Sequence, residues 1–252
     1  MPRLMAQDDT QTITIPGPGN FQFSGVKIDD LGATEYTLAS MVVDISGSVA
    51  PFRKQLLDCI KAVVGACKKN PRAENILFRL LLFNSNLTEI HGFLNLGDID
   101  PDKYDELQPD GMTALFDATY DAVGATVEYA RLLVKQDFDV NGVVFVVTDG
   151  MNNRGTMTPN EIKKKVDDCL SKEEMLSLLT ILIGLNDPAL DWAPETKASL
   201  ELFEKEANLS QFVDVGDATP DNLAKLGNFV SESISSSSTA LAQGVPSQTL
   251  SF

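Results

Sequence analysis

The sequence predicts an α/β fold: a doubly wound, mostly parallel sheet of six strands, one short and antiparallel, with helices on both faces. Short runs of continuously apolar residues alternate along the chain with longer segments in which apolar residues recur every three or four positions. A strand that is buried on both faces is apolar throughout, whereas a strand with one wet face alternates in polarity. The 252 residues, 43% of them apolar, are enough for a sizeable core.

The first half of the chain predicts three strands and two helices. The strands are placed at 38–43, 76–83 and about 87–91, and the last two are joined by the Asn84-Ser85-Asn86 turn. The first helix begins near Pro51, a residue that favours the first helical position, and ends at Asn70-Pro71. The second helix is predicted over 113–135, where helical apolar spacing continues without proline.

The second half continues the alternation. Strands are predicted at 143–147, 176–185 and 211–215. Thr158-Pro159-Asn160-Glu161 is a capping box that begins a helix reaching about residue 170. Further helices are predicted at 195–207 and from Thr219-Pro220 onwards. The predicted order is therefore β-α-β-β-α-β-α-β-α-β-α.

Composition divides the chain into three parts. Residues 1–36 form an N-terminal extension in which alternating residues around Pro16-Gly17-Pro18-Gly19 indicate a short hairpin. Residues 37–234 form the main domain. Residues 235–252 are Ser-rich and uncharged, and we predict a helix that frays into a flexible tail, with Leu250 and Phe252 docking on this chain or on a neighbour.

Charge and cysteine content exclude several function classes. Twenty Lys and Arg against 36 Asp and Glu give a net charge of −16, which repels nucleic acid and anionic membrane surfaces. The three cysteines and the single histidine have no zinc-site spacing. There is no apolar run of about 18 residues and no apolar leader near the N-terminus, so we predict a cytoplasmic protein with reduced thiols.

Oxygen-bearing side chains follow the carboxyl ends of the predicted strands, where doubly wound sheets bind ligands. They lie in three segments: Asp44-Ile45-Ser46-Gly47-Ser48, Gly111-Met112-Thr113 and Thr148-Asp149-Gly150. Two carboxylates and three hydroxyls are hard donors that suit Mg²⁺, and Mn²⁺ would also fit. We expect weak binding, an open coordination position for an anionic oxygen, and little effect of substitutions on stability because the site lies at the surface.

These three segments resemble the metal-ion-dependent adhesion site of the von Willebrand factor type A (vWA) family, in the family's order, and the resemblance spans about 37–234. It implies a Rossmann-like fold and a protein-binding module rather than an enzyme. It also implies that Ser46 and Ser48 bind the metal directly, Thr113 directly or through water, and Asp44 and Asp149 mostly through water. A Glu or Asp of a partner protein would complete the coordination.

Four further residues are candidates for partner binding: Gly47, Met112, Asn152 and Arg154. Arg154 could hold the partner carboxylate with two hydrogen bonds. The chain looks most like the intracellular stand-alone members of the family, found with AAA+ ATPases or in tellurite-resistance-type stress clusters. That likeness implies an AAA+ ATPase or a stress-cluster protein as partner, with a homo-oligomer as a further option.

Other interpretations stay open beside this one. In the first, a vWA-fold scaffold carries a structural or vestigial metal site within a homo-oligomer or a multiprotein assembly. In the second, the chain is a phosphatase of the haloacid dehalogenase type, although that chemistry needs a second acid at the position of Ser46. In the third, Asp44, Ser46 and Ser48 only cap a helix. Acidic residues between Asp98 and Asp110 suggest a calcium loop, but Lys103 stands where an EF-hand needs glycine.

Overall fold

The computed structural model of the protein describes residues 10–171 and 175–252. The strands are β1 (Thr10–Thr14), β2 (Gln22–Val26), β3 (Glu35–Asp44), β4 (Ile76–Phe83), β5 (Leu87–Asn95), β6 (Asp139–Thr148), β7 (Leu178–Leu185) and β8 (Gln211–Gly216). The α-helices are α1 (Arg53–Lys68), α2 (Leu115–Val134), α3 (Pro159–Ser171), α4 (Ala193–Glu206) and α5 (Pro220–Ala242). None of the helices in these two ranges is both long and apolar enough to cross a membrane.

All eight strands form one sheet in the order β1-β2-β5-β4-β3-β6-β7-β8. Strands β4, β3, β6, β7 and β8 run parallel, and β3 lies in the middle of the sheet. Helices α1 and α5 pack on one face, and α2, α3 and α4 pack on the other. The predicted doubly wound α/β fold is confirmed.

The predicted number of six strands is wrong because the N-terminal segment adds two. Strands β1 and β2 form an antiparallel hairpin, and β2 joins the edge of the sheet beside β5. Strand β5 is antiparallel to β4, as predicted, but it is longer and extends to Asn95. A Cβ atom added to Gly92 would lie 1.8 Å from the Ser24 carbonyl oxygen, so only glycine allows β2 to approach β5 this closely.

A buried ionic cluster fixes this edge of the sheet. Arg79 of β4 is 0% exposed, and its guanidinium contacts Glu89 of β5 at 2.8 Å and Asp121 of α2 at 2.7 Å. Glu89 in turn accepts hydrogen bonds from the backbone N–H and the hydroxyl of Ser24 in β2. Burial by itself would lower the pKa of Arg79, but the charges of Asp121 and Glu89 raise it. The cluster therefore joins β4, β5 and α2 through Arg79, and Glu89 extends it to β2.

The C-terminal part of the chain differs from the prediction. Helix α5 does not fray after residue 234 but continues to Ala242, because Ser237 and Ser238 are buried small residues that let it pack closely. The Asn141 amide donates to the Ser237 carbonyl at 2.7 Å and to the Ser247 hydroxyl at 3.0 Å. The Phe252 ring lies 5.5 Å from that of Phe229 in α5. The tail therefore docks on its own chain.

The start of helix α3 was predicted correctly, whereas the start of helix α1, near the candidate site, was not. Thr158 and Glu161 form the predicted reciprocal capping box at the start of α3. By contrast, Pro51 does not begin α1 but lies in a 3-10 helix, Gly47–Phe52, that precedes it. This tight turn keeps the residues after β3 at the edge of the sheet, where the predicted metal ligands are found.

Candidate metal centre

Asp44 is the last residue of the central strand β3, and its carboxylate is held from both sides. One oxygen accepts a hydrogen bond from the Ser46 N–H at 2.7 Å, and the other accepts from the Thr148 hydroxyl at 2.6 Å. The side chain is only 1% exposed. Since both oxygens already have protein partners, this carboxylate is arranged to act on a cation indirectly, by charge and through water.

The second segment, residues 111–113, is tied to the first and to the third. The Gly47 N–H donates to the Gly111 carbonyl at 3.3 Å, and Gly111 has a φ of +78°, which favours glycine. Thr113 donates its N–H to the Asn153 side chain at 2.7 Å, and its carbonyl accepts from the Asn153 N–H. A Cβ atom added to Gly150 would lie 3.7 Å from the Thr113 hydroxyl, so this hydroxyl faces the turn that carries Asp149.

Three of the predicted ligand side chains lie in a row of close contacts. The Ser46 and Ser48 hydroxyls are 3.2 Å apart, and the Ser48 hydroxyl donates to an Asp149 oxygen at 2.9 Å. Two ligands at right angles around Mg²⁺, each about 2.05 Å from the ion, lie about 2.9 Å apart. The spacing of the two serine hydroxyls is close to that of adjacent corners of an octahedral shell, Asp149 lies next to them, and the donor set fits a small hard cation.

The electrostatics of the site also favour a cation. Burial, and then the charge of Asp44, raise the pKa of Asp149 to about 7. Burial likewise raises the pKa of Asp44, against the lowering effect of its hydrogen bonds from Thr148 and Ser46. In residues 10–171 and 175–252, neither carboxylate forms a salt bridge. A divalent ion would supply the missing positive charge.

All five predicted metal ligands therefore meet at one sheet edge. The expectation that the site lies at the surface is wrong for three of them, since Asp44, Ser46 and Thr113 are 1%, 2% and 3% exposed. They are buried because their loops cover one another. Only Ser48 is exposed, beside a partly buried Asp149, so any partner would reach a cation from this side.

The candidate partner-binding residues lie around the same edge. Gly47, Met112 and Arg154 are exposed. Asn152 is partly buried, and its side chain accepts a hydrogen bond from the Phe116 N–H at 3.1 Å, which satisfies the first turn of α2. This hydrogen bond is enough to explain why an asparagine stands at position 152. A partner-binding role for the four residues stays a prediction.

Sequence reasoning missed three supporting side chains. Thr148 positions Asp44, Asn153 holds the backbone of Thr113, and the Ser85 hydroxyl accepts from the Met112 N–H at 2.9 Å. Thr148 directly precedes the predicted ligand Asp149, and this position was the only sequence feature that could have indicated its role. Ser85 lies in a turn between strands that carries no motif, so its role follows only from the fold.

Comparison with known proteins adds evidence on the fold. No family model matches the sequence, and no curated protein matches it. Solved structures do match. The D319A mutant of the PilB minor pilin from Streptococcus sanguinis has a TM-score of 0.56 at 14% identity, with 86% of this chain and 65% of that chain covered. The pilus adhesin SpaC from Lactobacillus rhamnosus GG, in its open conformation, has a TM-score of 0.52 at 12% identity. The match covers 90% of this chain and 34% of that chain.

A third similar structure is proximal thread matrix protein 1 of the mussel byssus. It has a TM-score of 0.50 at 19% identity, with 90% of this chain and 48% of that chain covered. Its form with a zinc-occupied MIDAS motif has a TM-score of 0.47 at 22% identity, with 80% and 46% covered. The chain thus spans between about a third and two thirds of these proteins. The likeness shows the fold, which agrees with the vWA-like, Rossmann-like type implied by the sequence.

The raised pKa of Asp149 predicts that metal binding depends on pH. A proton competes with the metal for this carboxylate, so the dissociation constant for Mg²⁺ at pH 6 should be about tenfold higher than at pH 8. Without metal, the folded-state pKa lies above the ordinary value of 3.8, so this group's contribution to folding stability is lost as the pH rises from about 4 to 7. Titration calorimetry at the two pH values checks the first effect; equal affinities would contradict it.

The hydrogen bond from Thr148 to Asp44 predicts that the Thr148 hydroxyl supports both the fold and metal binding, a role that sequence reasoning did not assign to it. Thr148→Val keeps the shape but leaves one buried Asp44 oxygen without its donor, which should cost about 1–3 kcal/mol of unfolding free energy. The affinity for Mg²⁺ should fall about 10- to 100-fold, the usual effect of removing an outer-shell partner. Thr148→Ser is the matched control, since it retains the hydroxyl. Urea unfolding and calorimetry measure both effects, and equal behaviour of the two variants would refute this role.

Proposed function

We propose that the chain is a vWA-type, metal-ion-dependent protein-binding module. In this proposal Ser46 and Ser48 bind Mg²⁺ directly, Thr113 binds directly or through water, and Asp44 and Asp149 act mostly through water. Mn²⁺ can replace Mg²⁺. A Glu or Asp side chain of a partner protein fills the open position beside Ser48.

The observation that carries this proposal is the row of oxygens formed by Ser46, Ser48 and Asp149, at 3.2 and 2.9 Å, beside the buried carboxylate of Asp44. The spacing of the two serine hydroxyls supports an octahedral cation, with the Asp149 carboxylate beside them. The charge of Asp44 helps to raise the pKa of Asp149, and a cation at this position would stabilise the charged form of both carboxylates. The two carboxylates of the site roughly cancel the charge of the ion and leave a coordination position for a carboxylate from outside.

The bound ion would supply a positive charge and a coordination position, and the chain's own residues would hold its other ligands in place. Protein binding, rather than catalysis, is supported by Ser46, because a phosphoryl-transfer reaction of the dehalogenase type needs an acid at that position. An AAA+ ATPase or a stress-cluster protein as partner, and a cytoplasmic location, stay predictions. Membership of the tellurite-resistance-type subfamily also stays a prediction.

The test is an affinity purification from cell extract in Mg²⁺, followed by elution with EDTA and mass spectrometry. Ser48→Ala is the informative variant, because Ser48 is exposed and its loss should leave the fold intact. Ser251→Ala, at another exposed serine, is the matched control. We expect partner proteins that elute with EDTA from the wild type and the control but are absent with Ser48→Ala. Capture that is unaffected by EDTA and by Ser48→Ala would overturn the proposal.

A further inference from the structure

An open groove of about 640 Å³ begins at the candidate metal centre. Ser48 and Asp149 are among its lining residues, and the segments before α1, before α4 and before α5 form its walls. The groove is therefore continuous with the one exposed side of the predicted coordination sphere. A partner segment whose carboxylate binds the ion would place its neighbouring residues in this groove.

The wall of the groove carries exposed apolar side chains. Trp192 is 59% exposed and Leu190 is 39% exposed, and both line the groove. Their loop is fixed by the backbone, because the Ala193 N–H donates to the Leu190 carbonyl at 3.0 Å and the Asn186 amide donates to the Ala193 carbonyl at 3.1 Å. A large aromatic ring is thus presented to solvent from a turn that is held in place.

The charged side chains that line the groove are all acidic. Asp149, Asp187 and Asp217 line it, and no Lys, Arg or His is among the described residues that do. Asp187 accepts from the Ala189 N–H at 2.9 Å and Asp217 from the Asn222 amide at 2.6 Å, so both carboxylates are oriented. Once a cation neutralises the metal centre, the negative charge that remains among the lining residues is at Asp187 and Asp217, which line the same groove as Trp192. Carboxylates beside an exposed indole complement a cation on a hydrocarbon stem.

We propose that this groove binds a basic side chain of the same partner segment, with arginine preferred. The inference rests on the proposed function and specifies its partner: a protein segment that carries an acidic residue for the metal ion and, close to it, an Arg or Lys. The guanidinium stacks on Trp192 and pairs with Asp187 and Asp217, and the stem packs against Leu190. The negative charges of the groove attract the basic side chain of such a segment, so this part of the binding weakens as salt increases.

The test is selection from a displayed peptide library with a fixed central Glu and random flanking positions, performed in Mn²⁺ and repeated with EDTA. We expect metal-dependent peptides enriched in Arg at flanking positions. A selected peptide should then bind Trp192→Ala, or Asp187→Asn with Asp217→Asn, about tenfold more weakly than the wild type. The same peptide with Arg replaced by Ala should bind wild type and variants equally.

Matched controls lie outside the groove. Leu202→Ala removes another exposed apolar side chain, and Glu206→Gln removes another exposed acid, so both should leave peptide binding unchanged. Metal-dependent peptides without basic enrichment would overturn this inference and leave the proposed function standing. Failure to select any metal-dependent peptide would overturn both. Mg²⁺-dependent dimerisation of the protein alone, lost in Trp192→Ala, would place a second copy in the groove and contradict the inference.

Discussion

Asp149→Asn is expected to lower the affinity for Mg²⁺ by about a hundredfold or more. The amide retains the size of the side chain but removes one unit of negative charge next to a divalent ion. Even at an effective dielectric constant of about 20 this loss amounts to several kcal/mol, and about 3 kcal/mol is a factor of about a hundred. Titration calorimetry with Mg²⁺ and Mn²⁺ measures the change. In the metal-free protein the same variant removes the repulsion from Asp44 and should not be less stable.

The matched control is Asp102→Asn, which changes the net charge equally in the exposed acidic segment between residues 98 and 110. Asp102 donates its N–H to the Asp100 carboxylate in a cap of a 3-10 helix, which is a structural role. Its substitution should change the Mg²⁺ affinity less than about twofold, since salt screens the charge of an exposed side chain. Equal losses in Asp102→Asn and Asp149→Asn would mean that Mg²⁺ binds the acidic surface rather than the candidate centre.

Arg79→Met is expected to destabilise the fold by about 3–5 kcal/mol, the usual cost of leaving buried charges without their partner. The variant retains an apolar stem but removes the guanidinium from between Glu89 and Asp121, which are both largely buried. Part of the stability should return at low pH, where protonation removes the uncompensated charge; burial already raises the pKa of Asp121. Urea unfolding at pH 5 and pH 8 measures both effects.

Two variants show whether the effect belongs to the ionic cluster. Lys103→Met breaks an exposed pair with Asp100, whose side chains are 64% and 50% exposed, and should cost less than about 1 kcal/mol. Arg79→Met combined with Glu89→Gln and Asp121→Asn removes all three charges and should recover most of the loss. A loss below about 1 kcal/mol in Arg79→Met alone would show that the cluster does not hold the sheet edge.

The parallel core of the fold could be predicted because its signals are local. Strands β3, β4, β6 and β7 are mostly apolar, and Thr158 with Glu161 specifies the start of α3 within four residues. The alternating polarity of the N-terminal segment indicated a hairpin, but it did not indicate which strand of the sheet the hairpin would join. Strand β2 pairs with β5, far along the chain, and the pairing depends on the absence of a Cβ at Gly92 and on the Ser24 contact with Glu89.

The candidate site was predictable to a similar extent. The ligand types and their positions after strands are visible in the sequence, and the fold brings the five residues together. The burial of Asp44, Ser46 and Thr113 was not visible, because it results from loops that cover one another through backbone contacts such as Gly47 to Gly111. The groove beside Trp192 was missed for the same reason: its walls come from segments far apart in sequence.

The most direct measurement is the anomalous scattering of Mn²⁺ in crystals of the protein grown with the metal. The account predicts a single strong peak about 2.0–2.3 Å from the hydroxyl oxygens of Ser46 and Ser48, close to Asp149, and no peak there in Ser48→Ala crystals. A peak only in the acidic segment, or full occupancy of Mn²⁺ elsewhere with the Ser46 and Ser48 hydroxyls turned away, would contradict the central claim that these side chains share one cation.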